Sequence, residues 1–403
     1  MTESADIPRD FDFAAADLLA ERVPLAEFAA LRASGRPWWN PQPRGTTGFD
    51  DDGFWVVSKH AHIRAISRDH ELFSANANGV VVRFNGVDPD ELALQREALL
   101  LNLDPPKHTK LRRIVARGFT PRVIDGLRGA LAERADRIVD AARAKSGGDF
   151  VSEVAAELPL QAIADLLGVP QDDRGRLRDW SDRMLGEEDP AVPAAELVGY
   201  AMGLAERRRA CPAHDIVTRL VQADVDGRGL TDDEFGYFMI LLAVAGNETT
   251  RNAITHGMIA FLENPDQWEL FKAERPATTA DEIIRWATPV TAFQRTATED
   301  TELGGVPIRA GDRLALYYSS ANFDEDVFEA PETFDITRDP NPHLAFGGTG
   351  AHYCLGAHLA RLEVALIFEA VADRMPGIRA AGRPERLRSA WVNGIRTFPV
   401  AYA

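Results

Sequence analysis

The sequence predicts a mainly α fold with small β-sheets, built as a single domain over residues 1–403 around one continuous core. Three observations predict it. Helical patterns dominate from Thr109 to about 287, with apolar residues recurring three and four apart in LRRIVARGF, LRGALAERADRIVDAARA, LPLQAIADLLGV and DEFGYFMILLAVAGNETTRNAITHGMIAFLEN. Strand signals are few and short: FWVVS at 54–58, then ELGGVPIRAGDRLALYY, which reads as a hairpin and its neighbour. Repeats and long low-complexity linkers are absent.

The element boundaries have local causes. Thr231 to Glu234 reads TDDE, a capping box in which Thr and Glu satisfy two backbone N–H groups that the first helical turn leaves free. The helix it opens runs to about Glu263, ahead of Asn264-Pro265. At 1.5 Å per residue it spans roughly 45 Å, enough to cross the whole fold. Its middle, AVAGNETT at 243–250, is awkward. A helix-interior glycine such as Gly246 costs about 1 kcal/mol relative to alanine. Glu248 and Thr249 sit between apolar turns, where a carboxylate is expensive to bury. One reading is a kink with its polar groups in water. The other is a helix opened beside a cofactor, with an acid and a hydroxyl placed to pass protons. A second helical pattern, GAHLARLEVALIFEAVADRM, follows Cys354.

Composition excludes several classes. Two cysteines, Cys211 and Cys354, cannot form a disulfide framework or a four-cysteine zinc site, and they suit a reduced, cytoplasmic setting. The start, MTESADIPRDFDF, is polar and acidic and does not read as a signal peptide. No apolar run approaches 18 residues, so no membrane anchor is expected. A net charge of −17 disfavours nucleic acid as a partner. It also makes the basic run KHTKLRRIVARGFTPR stand out, with Lys107, Lys110, Arg112, Arg113, Arg117 and Arg122.

One of those cysteines sits in an unusual loop, FGGTGAHYCLG at 346–356. A thiolate is a strong ligand for iron, but its charge needs donors. Gly350 and Gly356 leave room for backbone N–H groups and a flat ligand, and the helix after Cys354 points its positive end at the sulfur. Zinc does not fit, because the chain has no second cysteine cluster and no HExxH.

This loop resembles the heme-ligand loop of the cytochrome P450 monooxygenases. Further stretches resemble that family in order and spacing: HTKLR at 108–112, AGNETT at 245–250, EIIR at 282–285 and FQRTA at 293–297. The family's phenylalanine usually lies seven residues before the cysteine; here Gly347 takes that place and Phe346 precedes it. FGGTGAHYC, DEIIRWATPVTAFQRTA, YYSSANFDEDVF, PERLRSAWVNGI, NANGVVVRF and LPLQAIADLLGVPQDDRG resemble one branch, the actinobacterial steroid monooxygenases that oxidise the terminal methyl of a cholesterol or cholestenone side chain.

The resemblance implies a heme b cofactor with Cys354 as its axial thiolate and O2 as co-substrate. It implies a heme site built from His108, Arg112, Ala245, Gly246, Arg295, Phe346, Gly347, His352 and Gly356, with His108, Arg112, Arg295 and His352 taking the propionates. Thr249 and Glu248 become the proton-relay pair. Glu282 and Arg285 become a buried structural pair with Arg338 as third member, although TADE at 279–282 also reads as a capping box. Val80, Val82, Phe84, Leu100, Leu101, Val244, Val290 and Trp391 become the substrate lining, although composition alone makes them core. The chain carries no flavin or nicotinamide module, so electrons are expected from a separate ferredoxin and ferredoxin reductase. The basic run with Arg361 is then a docking site for that acidic donor. Two alternatives stay open: the same chemistry on a branched lipid, terpenoid or other natural product, and a heme-binding sensor or carrier without oxygenase activity.

Overall fold

A computed structural model describes residues 7–46, 49–83, 89–185 and 191–402. Near the N-terminus are β1 (Trp38–Pro41), β2 (Gly53–Val57) and β3 (Phe73–Ser74). The helical body holds α1 (Lys107–Ala116), α2 (Arg128–Arg143), α3 (Glu157–Leu167), α4 (Arg174–Leu185), α5 (Ala191–Ala210), α6 (Asp232–Glu263) and α7 (Thr279–Ala287). Strands β4 (Ala292–Ala297) and β5 (Arg313–Tyr317) follow, then α8 (Ala357–Arg374). The strands form one mixed sheet in the order β1-β2-β5-β4-β3, with β2 and β5 parallel and the other pairs antiparallel. Arg295 stands opposite Leu314 in this sheet. The expected hairpin is there: Thr301–Leu303 pairs with Val306–Ile308 across Gly304-Gly305, both at positive φ.

Helix α6 is the axis of the fold. Its capping box forms as the sequence predicts, with Thr231 Oγ1 accepting from the Glu234 N–H and Glu234 accepting from the Thr231 N–H. Phe235, Phe238, Met239 and Leu242 bury one end, and Ile254, Met258 and Phe261 the other, in a core shared with α2, α3 and α8. Between them the apolar face gives out: Val244 is half-buried and Ala245 exposed. The helix is not broken there, and it runs unbroken from Asp232 to Glu263. Gly246 has a packing reason instead. A Cβ at that position would stand 3.1 Å from Ile163 Cδ1, so glycine lets α3 approach α6 closely.

Helix α7 carries the fold's most enclosed ion pair. Glu282 and Arg285 are fully buried and meet through two hydrogen bonds of 2.8 Å. Arg285 also donates to Asn322 O at 2.8 Å and Pro331 O at 3.0 Å. Glu282 accepts from the Asp335 N–H (2.9 Å), Arg338 Nε (3.2 Å) and Asn341 Nδ2 (3.0 Å). The capping-box reading of TADE fails: the cap position is Thr278, Thr279 Oγ1 has no partner among the described residues, and the Glu282 carboxylate is committed to Arg285. Two side chains thus fix the strap 322–341, and Asn322 Oδ1 accepts the Leu344 N–H that begins the cysteine loop, at 2.7 Å.

Removing one partner of a buried pair strands the other charge, which costs about 3–5 kcal/mol. Arg285→Ala is expected to lower the stability measured by urea unfolding by that amount. A loss under about 1 kcal/mol, the size of a surface pair, would show that the pair does not anchor the strap.

Candidate functional site: a cavity around Cys354

The cysteine loop is held from both ends. The Cys354 N–H donates to Phe346 O at 3.0 Å, closing the loop on itself. Gly350, at φ +92°, crosses so close to the helix His60–Arg68 that a Cβ would stand 2.1 Å from Ser67 O, so only glycine fits. After Gly356 the chain enters α8 at Ala357. Cys354 lies deep in the fold, yet its surface is open. A residue that is both deep and open lines an internal cavity. Burial pushes its thiol pKa up; the backbone N–H groups of Gly356 and Ala357 and the charges of Arg112 and Arg361 pull it down. The Phe346 ring lies against Tyr353 and under the Arg361 guanidinium, while Gly347, also at positive φ, turns the chain.

Four nitrogenous side chains gather on one side of the cavity. The His108 and His352 rings lie 4.2 Å apart, His108 from α1 and His352 from the loop. Arg295 comes from β4 and is buried; Arg112, one helical turn after His108, is half-buried. Their charges act on one another: Arg112 and Arg295 both disfavour protonation of both histidines. Arg295 donates to Gln294 O at 2.7 Å and Arg112 to Tyr353 O, but among the described residues neither forms an ion pair. His108 Nδ1 and His352 Nε2 are buried and have no partner among the described residues. Two guanidinium groups and two orphaned imidazole nitrogens are short of anions. Two carboxylates would complete them, and heme brings two propionates to a thiolate. The residues present fit that group.

Midway along α6, Val244, Ala245 and Thr249 keep open surface. Thr249 Oγ1 donates back to Ala245 O at 2.8 Å. Glu248 is buried, and its carboxylate binds Arg251 (2.6 Å) and Asn252 Nδ2 (2.9 Å). Asn252 Oδ1 in turn accepts the Ile395 N–H, tying the acid to the C-terminal strand. Arg251 and Asn252 were not legible as partners, because a polar NETTRN run reads equally as a solvated turn. Sequence reasoning also missed Glu363 of α8, which burial pushes up to about 8 beside the Thr250 hydroxyl. Its one signal was a carboxylate inside an otherwise apolar LEVALIF turn.

The expected lining residues divide. Val290 bridges Val392, and Trp391 lies 6.2 Å from the half-buried Phe293 ring, centroid to centroid. These, with Leu101 and Val244, keep partly open surface. Val82 does not: it packs with Phe13, Phe28 and Phe54. Leu100 belongs to the main core, and Val80 is buried, its carbonyl accepting the Gln294 N–H at 2.7 Å. These three side chains are core, as their composition allowed. Phe84 lies outside the described residues. The basic run is partly spent: Lys110 pairs with Asp226 (2.6 Å), Lys107 with Glu234 (3.5 Å) and Arg361 with Asp281 (2.7 Å), while Arg113, Arg117 and Arg122 are exposed.

Comparison with known proteins decides the family. Residues 277–374 match the family model described as Cytochrome P450. A "Steroid C26-monooxygenase" of Rhodococcus jostii is 59% identical, covering 98% of this chain and 86% of the relative. The chain belongs to the cytochrome P450 family. The fold agrees: a Mycobacterium marinum cytochrome P450 solved in complex with pseudoionone superposes with a TM-score of 0.90 at 38% identity, covering 98% of this chain and 99% of that one. A "Methyl-branched lipid omega-hydroxylase" of Mycobacterium tuberculosis is 42% identical over 87% of this P450 and 85% of the relative. Among the described residues, no helix of this P450 is long and apolar enough to cross a membrane.

The histidines make a pH prediction. Burial, helped by the Arg112 charge, holds His108 at about 4 against an ordinary 6.5. Burial likewise holds His352 well below its ordinary value. Between pH 6.5 and 4 the unfolded chain therefore binds more protons, and stability falls as pH falls. The heme-free chain is expected to lose thermal stability across that window, and His108→Gln to make the slope shallower. An unaltered slope in the variant would contradict a buried neutral His108.

Proposed function

We propose that this P450 hydroxylates the terminal methyl of a steroid side chain such as that of cholesterol or cholest-4-en-3-one. The observation that carries the proposal is the set of unpaired arginines and orphaned imidazoles beside an open cysteine, in a chain so similar over its length to a steroid C26-monooxygenase. Cys354 would ligate the heme iron, and Arg112, Arg295, His108 and His352 would hold its propionates. Bound heme supplies the O2 activation that lets oxygen enter an unactivated C–H bond.

The chain's own residues then do four things. Arg112 and Arg295 neutralise the carboxylates and fix the orientation of the group in its slot. Ala245, small and exposed, would leave room on α6 for a flat ligand, while Gly246 lets α3 close on the helix from its own side. Thr249 holds and passes a proton at its Oγ1, exchanging its bond to Ala245 O for one into the cavity. Glu248, oriented by Arg251 and Asn252, leaves one of these partners to take up a proton from solvent and pass it on through water. Val244, Leu101, Val290, Phe293 and Trp391 form an apolar wall that excludes water and suits an elongated hydrocarbon. Electrons come from a ferredoxin and its reductase, and the exposed Arg113, Arg117 and Arg122 supply the charge that an acidic donor meets. The 42% identical lipid omega-hydroxylase keeps a second reading in view: the same terminal oxidation on a methyl-branched lipid.

Titration of the purified holoenzyme with cholest-4-en-3-one is expected to give a saturable low-spin to high-spin shift of the heme absorption. No shift with the sterol, together with a shift on a methyl-branched fatty acid, would move the substrate to the second reading. Thr249→Ala is expected to keep sterol binding but to release peroxide at the expense of hydroxylated product. Unchanged coupling would remove Thr249 from the proton path.

A further inference from the structure

A second ion cluster lies outside the buried Glu282–Arg285 network. Asp281 precedes Glu282 in the first turn of α7 and faces the other way. Its Oδ1 accepts from Arg361 Nε of α8 at 2.7 Å and from His343 Nε2 at 2.9 Å. The proton is on His343 Nε2, because His343 Nδ1 accepts the Ala345 N–H at 3.3 Å. The Arg361 guanidinium lies 4.6 Å over the Phe346 ring, and the His343 ring stands 5.5 Å from it, centroid to centroid. Phe346 in turn accepts the Cys354 N–H through its carbonyl. Three groups thus clamp the residue that closes the cysteine loop.

The cluster also has an electrostatic reach. Arg361 is one of the two cations whose charge bears on Cys354. The other, Arg112, is free of carboxylates among the described residues and donates to Tyr353 O. Arg361 is different: it is bound to an anion, and the Tyr353 side chain lies within its reach. Burial opposes ionisation of Asp281, but the bond from His343 and the charge of Arg361 outweigh it and hold the carboxyl below the ordinary range. His343 is neutral, so the cluster holds one cation and one anion. The Arg361 charge felt at the sulfur is then set by how firmly Asp281 compensates it.

We propose that Asp281 is a positioning residue that seats Arg361 over Phe346 and partly cancels its charge, so that the Asp281–Arg361 pair sets the electron density at the Cys354 sulfur and with it the heme reduction potential. The proposal rests on Cys354 being the axial ligand. It reassigns Arg361, which sequence reasoning placed on the donor-docking surface, to tuning of the ligand.

The signs follow from charge alone. Reduction adds an electron near the sulfur, so a nearby positive charge favours it. Asp281→Asn keeps a carbonyl acceptor for Arg361 but removes the compensating charge. Arg361→Gln removes the cation, and Arg361→Lys keeps it. The experiment is a spectroelectrochemical titration of the substrate-free holoenzyme and these three variants, with the oxidised absorption spectrum recorded as a check that the ligand is unchanged. Asp281→Asn is expected to shift the potential upward, Arg361→Gln downward, and Arg361→Lys to stay near the parent. Loosening of the loop would move the first two in the same direction, and that result would overturn the proposal. Unmoved potentials in all three would overturn it as well. A chain that binds heme without thiolate ligation would fail the proposed function instead, and the oxidised spectrum of the parent separates that outcome from the others.

Discussion

A charged sulfur facing a cavity inside a protein is costly, and much of this fold serves to make Cys354 tolerable there. Burial alone pushes the thiol toward its neutral form. Opposing it are the N–H groups at the start of α8, the Arg112 charge from α1 and the Arg361 charge from α8 itself. None of these acts unless the loop is held still. That is the role of the buried Glu282–Arg285 pair, which has no contact with the cavity but fixes the strap leading into the loop. Stability and site are therefore linked: a fully buried ion pair holds the strap that leads into the cysteine loop.

The opposite wall obeys a related logic. Helix α6 is anchored at both ends by aromatic and aliphatic packing, so its centre can afford to be poor in core contacts. Gly246 brings α3 against it, while Val244 stays half-buried and Ala245 exposed. A helix that buries both ends and leaves part of one face open at its middle is making room. The same stretch carries a hydroxyl bonded back to its own helix and a carboxylate held by two neighbours. Both are groups with a local resting partner and a reason to exchange it.

Much of this was legible in the sequence because the constraints are local. The capping box at Thr231 and the short strands with their Gly-Gly turn each need particular residues at particular spacings, and each formed where the pattern placed it. What was not legible depended on distant partners. Nothing around Thr279 says that Glu282 will turn inward to Arg285 rather than back to a cap. Val82 and Leu100 read as apolar residues near a variable region, and only the tertiary packing says that they face the core. Gly246 read as the site of a kink or an opening in the helix because its packing partner, Ile163, is more than eighty residues away. The Asp281–Arg361 contact likewise joins two helices across a long stretch of chain.

The central claim is that Cys354 is the thiolate ligand of a bound heme. The measurement that tests it most directly is the absorption spectrum of the reduced, carbon monoxide-bound protein, recorded for the parent chain and for Cys354→Ser. The parent is expected to show the red-shifted Soret band of carbon monoxide opposite a thiolate, and the variant to lose that band while Cys211 remains in place. A variant that retains the thiolate band, or a parent that shows the band of a neutral ligand, would contradict the account.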